Sequence, residues 1–141
     1  MDFDPTTDYP LGLRRPDLLA TPSGLALDEI TLQAMREGRL AWEDLRATPE
    51  TLRAQATVAN TAGRAPLADN LARAAELATI PAHTILEIYT AMRPHRSTAA
   101  ELDAWATRLD EAGAPLTAGF VREATEVYAK RGLLAGARDS I

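Results

Sequence analysis

Nine prolines divide this chain more sharply than any other residue type. Proline fixes φ, lacks an amide donor and pushes the residue before it out of the helical region. Pro5, Pro10, Pro16 and Pro22 recur about every six positions, so residues 1–27 are expected to form a mostly extended N-terminal arm. Pro49, Pro66, Pro81, Pro94 and Pro115 stand instead at the edges of apolar patterns with helical spacing. There they start or stop helices.

The arm is not polar. It carries Phe3, Tyr9, Leu11, Leu13, Leu18, Leu19, Leu25 and Leu27, and the alternation of Tyr9, Leu11 and Leu13 predicts that they share one side of an extended strand. Such a segment needs a surface to lie on. From residue 28 to 132 the period changes, and about six short helices are expected. The first has the stripe Leu27, Ile30, Ala34 and Met35 and stops near Gly38, after which Trp42 is expected to cap the core from a turn. Thr48, Pro49 and Glu50 open the second, which runs through Leu52, Ala56 and Ala59 to Gly63. The third begins near Pro66 with Leu67, Leu71, Ala74 and Ala78 on one face. Ile85, Ile88, Tyr89 and Met92 form the stripe of the fourth, which Pro94 ends. Thr98 and Glu101 make a capping box for the fifth, whose stripe is Leu102, Trp105, Ala106 and Leu109 up to Gly113. Pro115 starts the sixth, with Leu116, Phe120, Ala124, Val127 and Tyr128 inward and Gly132 closing it. Residues 133–141 read as a fraying tail. No segment reads as a strand and no repeat of 20 to 50 residues is evident. The fold class is all-α: a compact bundle of short helices with a proline-rich arm.

At 141 residues the chain suits one compact domain. A hydrophobic share of 46% with 25% charged residues excludes wholesale disorder, and no run reaches the roughly 18 to 20 apolar residues that span a bilayer. The start, MDFDPTTDYP, has neither the basic nor the apolar region of a secretory signal. A formal net charge of -5 repels phosphate backbones, so nucleic acid is not an expected partner and a helix-turn-helix built from helices two and three is disfavoured. The chain has no cysteine, which removes disulfides, thiolate nucleophiles and Cys-based metal sites and is compatible with a reducing cytoplasm.

The remaining chemistry is sparse. His83 and His95 are the only histidines, and neither has a second ligand at metal-binding spacing. There is no G-x-S-x-G elbow, no Walker A loop and no G-x-G-x-x-G. Neighbouring acids such as Glu43 and Asp44 point to different helix faces and cannot flank one substrate bond. No catalytic, cofactor-binding or metal-binding residue is expected. An apolar arm on a body without an active site is the pattern of a subunit. The contact candidates are Tyr9, Leu11 and Leu13 on the arm and Arg93, His95 and Arg96 in the RPHRS turn, where positive charge could meet an anion or an acidic partner.

Several motifs carry a resemblance: TPETLR at Thr48–Arg53, AGR at Ala62–Arg64, NLARAAELATIP at Asn70–Pro81 and ILEIYTAMRPHRST at Ile85–Thr98. With YPL at Tyr9–Leu11, LDEITL at Leu27–Leu32 and FVREATEVY at Phe120–Tyr128, nearly the whole chain is similar to the small (gamma) subunit of adenosylcobalamin-dependent diol and glycerol dehydratases. The resemblance implies a lyase of two copies each of large, medium and small subunits that converts 1,2-propanediol, glycerol or ethanediol to an aldehyde and water. It places adenosylcobalamin between the large and medium subunits, the radical chemistry in the large one, and neither on this chain, which also lacks the D-x-H-x-x-G cobalamin motif. The expected location is the cytoplasm, and whether the complex lies within a bacterial microcompartment there is left open. The short acidic start differs from the long amphipathic extension of some family members, so no compartment signal is expected on this chain. A free-standing helical adaptor is the alternative reading.

Overall fold

A computed structural model describes residues 3–136. The chain divides into two compact units, residues 1–78 and 79–141, each described by itself. Among the described residues there are seven α-helices and no strand, with one isolated bridge between Ala20 and Ala26. No helix among them is long and apolar enough to cross a membrane.

The first unit begins with short turns where the prolines predict extension. Leu13 and Arg14 donate their amides to the Pro10 carbonyl, each at 3.0 Å, and close the helical turn α1 (Leu11–Arg14). Helical spacing sends residues 11 and 13 to opposite sides, so Leu11 is 5% exposed and Leu13 81%. The shared strand face expected for Tyr9, Leu11 and Leu13 is thereby lost. Two 3₁₀ turns, Pro16–Leu18 and Leu27–Glu29, precede α2 (Leu32–Arg36), which Thr31 caps through the amide of Ala34 at 3.0 Å. The expected first helix is thus split at Thr31. Of its stripe only Ala34 is buried; Leu27, Ile30 and Met35 are exposed. A third 3₁₀ turn, Trp42–Leu45, leaves Trp42 74% exposed instead of capping a core.

What closes this loop region is a buried carboxylate. Asp44 accepts the Ala41 amide at 2.9 Å and the Ser23 amide at 3.2 Å, tying two loops that lack a large apolar core. The Ser23 hydroxyl, then the Ala41 amide, hold its pKa below the ordinary aspartate range despite burial.

The helical part of this unit is a hairpin of α3 (Pro49–Thr61) and α4 (Ala65–Leu77). The second unit contains α5 (Ala82–Ala91) and a second hairpin, α6 (Ala99–Glu111) and α7 (Pro115–Arg131). The two hairpins are built alike, fifty positions apart. Thr48 and Thr98 cap the first helix of each. Gly63 and Gly113 turn the corner at φ +72° and +77°, in the left-handed region that glycine adopts without steric cost. The amides of Arg64 and Ala114 then reach back to the carbonyls of Ala59 and Leu109, both at 2.8 Å. Thr48/Thr98, Leu52/Leu102, Ala56/Ala106 and Gly63/Gly113 are identical pairs. The sequence therefore does contain a structural repeat, which its alanine-rich composition hides.

Large side chains fill the second unit. Leu102, Leu109 and Val121 are sealed together with Ile88, and Trp105 and Tyr128 pack against them half-buried. Tyr128 donates its hydroxyl to the Met92 carbonyl at 2.6 Å. Tyr89, expected in the core, is 57% exposed: α5 turns Ile88 inward, which carries the adjacent residue away. On α7 the buried side is Thr117, Ala118 and Val121, while Leu116, Phe120 and Val127 face outward. The expected fraying tail is docked over Leu133–Ala135, since Leu133 accepts the His95 amide at 2.6 Å and Ala135 donates to Ser97 at 2.9 Å. Residues 137–141 of that tail lie outside the described residues.

Candidate functional site

Surface apolarity is the first clue to function. Among the described residues six hydrophobic side chains larger than alanine are buried, against fourteen large ones that are exposed. Scattered exposed leucines need no explanation, but an excess over the core marks surface that has somewhere to go. It comes with concave features.

In the first unit a groove of about 550 Å³ lies on the α3–α4 hairpin, roofed at one side by Pro5, Thr6 and Tyr9. Val58 and Ala59 of α3 and Leu67 and Leu71 of α4 form its apolar walls, and Arg64 at the corner is its sole charged lining residue among the described ones. Tyr9 is 58% exposed and Leu67 44%. Arg64 makes no ion pair among the described residues.

In the second unit Trp105 separates two smaller clefts. One, of about 240 Å³, is closed by Ile80, Pro81, Thr84 and Ile88 over Trp105, Arg108 and Leu109; the Arg108 guanidinium lies 4.2 Å from the centre of the Trp105 ring. The other, more open, has Leu86, Glu87 and Arg96 on its walls. Arg96 belongs to the RPHRS turn, where His95 is a non-glycine residue at φ +60° and its Nδ1 is buried without a hydrogen-bond partner among the described residues. Both features cost free energy, the orphaned nitrogen about 1–3 kcal/mol. The backbone bonds from Leu133 and Ala135 hold the turn in place against that cost.

The predicted contact residues therefore separate by unit and by exposure. Tyr9 and Leu13 are exposed in the first unit, whereas Leu11 is buried and presents no surface. Arg93 and Arg96 are exposed and His95 half-buried in the second. The groove residues Val58, Arg64 and Leu67 were not among the sequence candidates, although the fifty-residue offset that pairs Gln55 with Trp105 and Val58 with Arg108 points to that face.

No group of three or more metal-ligating side chains occurs among the described residues, and neither histidine lines the clefts above. The geometry defines an all-helical chain with apolar, concave surface.

That class agrees with what the chain is similar to. The family described as dehydratase small subunit matches residues 5–135, and this chain belongs to it. It is 47% identical over 131 residues to the propanediol dehydratase small subunit of Citrobacter freundii, covering 92% of this chain and 76% of that one. To the propanediol dehydratase small subunit of Salmonella typhimurium it is 46% identical with the same coverage.

Proposed function

We propose that this chain is the small subunit of a diol dehydratase, and that its part in the enzyme is to bind the larger subunits rather than to perform chemistry. The excess of exposed over buried large apolar side chains carries the reading, together with relatives named as propanediol dehydratase small subunits. The substrates are 1,2-diols or glycerol, which leave as aldehyde and water. Adenosylcobalamin, which supplies the radical chemistry when bound, sits between the large and medium subunits, and two copies of each of three subunits make the complex. By covering apolar surface of a neighbour, this chain keeps that neighbour's cavity in a competent shape. Tyr9, Leu13, Arg93, His95 and Arg96 contribute to the contact, with Leu11 anchoring the arm from beneath.

The test is co-expression with the large and medium subunits of a diol dehydratase. A stable three-component complex that releases aldehyde from 1,2-propanediol only with adenosylcobalamin is expected, and the isolated chain is inactive. A chain that ignores those subunits, or dehydrates diols alone, overturns the proposal. The adaptor alternative has no support from the family assignment.

A further inference from the structure

The two hairpins share one blueprint but only one has its face covered by a helix. On α6 the positions Trp105, Arg108, Leu109 and Ala112 lie beneath Ile80, Thr84 and Ile88, that is, beneath α5 and the turn before it. Fifty positions earlier the same places are Gln55, Val58, Ala59 and Ala62, and these line the groove of the first unit. There, among the described residues, the cover consists of Pro5, Thr6 and Tyr9, and about 550 Å³ stays open against about 240 Å³ under α5. Burial follows the same difference. Leu102, Ala106 and Val121 are sealed, whereas their counterparts Leu52, Ala56 and Leu71 are only half-buried.

From this we infer that the groove of the first unit receives a short amphipathic helix of a larger dehydratase subunit, seated where α5 sits in the second unit. This rests on the reading of the chain as a dehydratase small subunit. The chemistry of the occupant follows from the walls. Its apolar side chains, at i, i+3 or i+4 spacing, pack on Val58, Leu67 and Leu71, in the helix-in-groove mode. A carboxylate on the same helix meets Arg64, which among the described residues is the one charge lining the groove and has no ion-pair partner. An arginine left without a carboxylate at the rim of an apolar groove complements an acidic and apolar segment, not a basic one.

The experiment uses the full chain, tagged and co-expressed with its larger subunits. Arg64→Glu and Leu67→Glu both change exposed positions, and each is expected to lower the larger subunits retained at least tenfold, while the melting temperature of the variant chain stays that of the wild type. Arg64→Lys should retain most of the binding. In parallel, a photo-crosslinking residue at position 67 of the assembled complex should attach to one larger-subunit peptide with acidic and apolar residues at helical spacing. Retention unchanged in both glutamate variants overturns the inference and leaves the subunit reading standing. So does a crosslink to a second copy of this chain, or to its own residues. If the wild-type chain itself retains no larger subunit, the subunit reading fails first and the groove assignment with it.

Discussion

The α3–α4 and α6–α7 hairpins have the same caps, the same glycine corner and first helices of 13 residues each, yet their interiors differ. Around α6 leucine and valine are buried beside Ala106, Ala114 and Ala118, and α5 completes the enclosure with Ile88. Between α3 and α4 the fully buried apolar positions are alanines: Ala54, Ala59, Ala68 and Ala75. Local signals fix the geometry of a helical hairpin, but its stability comes from packing a third element on the apolar face. One hairpin has that element within its own unit and the other presents the face for a partner.

The sharpest way to break this comparison is a pair of matched truncations. Leu102→Ala removes a sealed side chain and should cost about 2–5 kcal/mol through lost transfer energy and a residual cavity. Leu52→Ala, at the matching position but half-buried, should cost about 1 kcal/mol in the isolated chain. Denaturant unfolding, followed by amide exchange in α6 and in α3, measures both. Equal losses would mean that the first hairpin is as closed as the second.

A smaller effect distinguishes the loops of the first unit from the second unit, which has no buried carboxylate staple of this kind among its described residues. The folded pKa of Asp44 lies below the ordinary aspartate range, so its contribution is complete above that range and is lost as pH falls through the lowered value. Acid titration should therefore loosen residues 21–46 before the α6–α7 hairpin, as seen by amide exchange at stepwise lower pH. Asp44→Ala should bring the same loosening to neutral pH. If acid opens α6–α7 first, Asp44 is not what ties the loops.

The caps rank next. Thr98 accepts the Glu101 amide at 3.3 Å, and the Glu101 carboxylate accepts the Thr98 amide at 2.8 Å in return. Thr48 accepts the Thr51 amide at 3.3 Å without a returning carboxylate. Thr98→Ala should cost about 1 kcal/mol and Thr48→Ala less, in thermal melts of the two variants. A reversed order would show that the reciprocal bond contributes nothing.

Much of this architecture is legible in the sequence, and the boundary of legibility is physical. The helices α3 to α7 are readable because proline, threonine and glycine act locally on φ and on terminal amides, within a few residues of the helix end. The orientation of each helix is less so. Tyr89 and Ile88 are adjacent on an apolar stripe, and only the position of the neighbouring helix decides which one turns inward. The arm misleads for a related reason: prolines spaced six apart permit single turns between them, and the turn at Leu11–Arg14 rotates Leu13 away from Leu11. The contact candidates rest on the RPHRS turn and on apolar arm residues, whereas the groove is assembled from arm residues 5–9 and helix residues 55–71, which only the folded chain brings together.

The smallest expected effects concern two exposed aromatic residues. Trp42, at 74%, and Tyr89, at 57%, make too little intramolecular contact for truncation to be felt: Trp42→Ala and Tyr89→Ala should each change the stability of the isolated chain by no more than about 0.5 kcal/mol. Exposed aromatic side chains are also what protein interfaces use as anchors, where a single one can outweigh its neighbours. The same two substitutions are therefore to be measured twice, once by melting the isolated chain and once by retention of the larger subunits. Unchanged melting with reduced retention in either variant marks that aromatic residue as an anchor that the fold has left for a neighbour. A large loss in melting instead would mean that the side chain closes onto its own unit, and the excess of outward apolar surface would shrink by that residue.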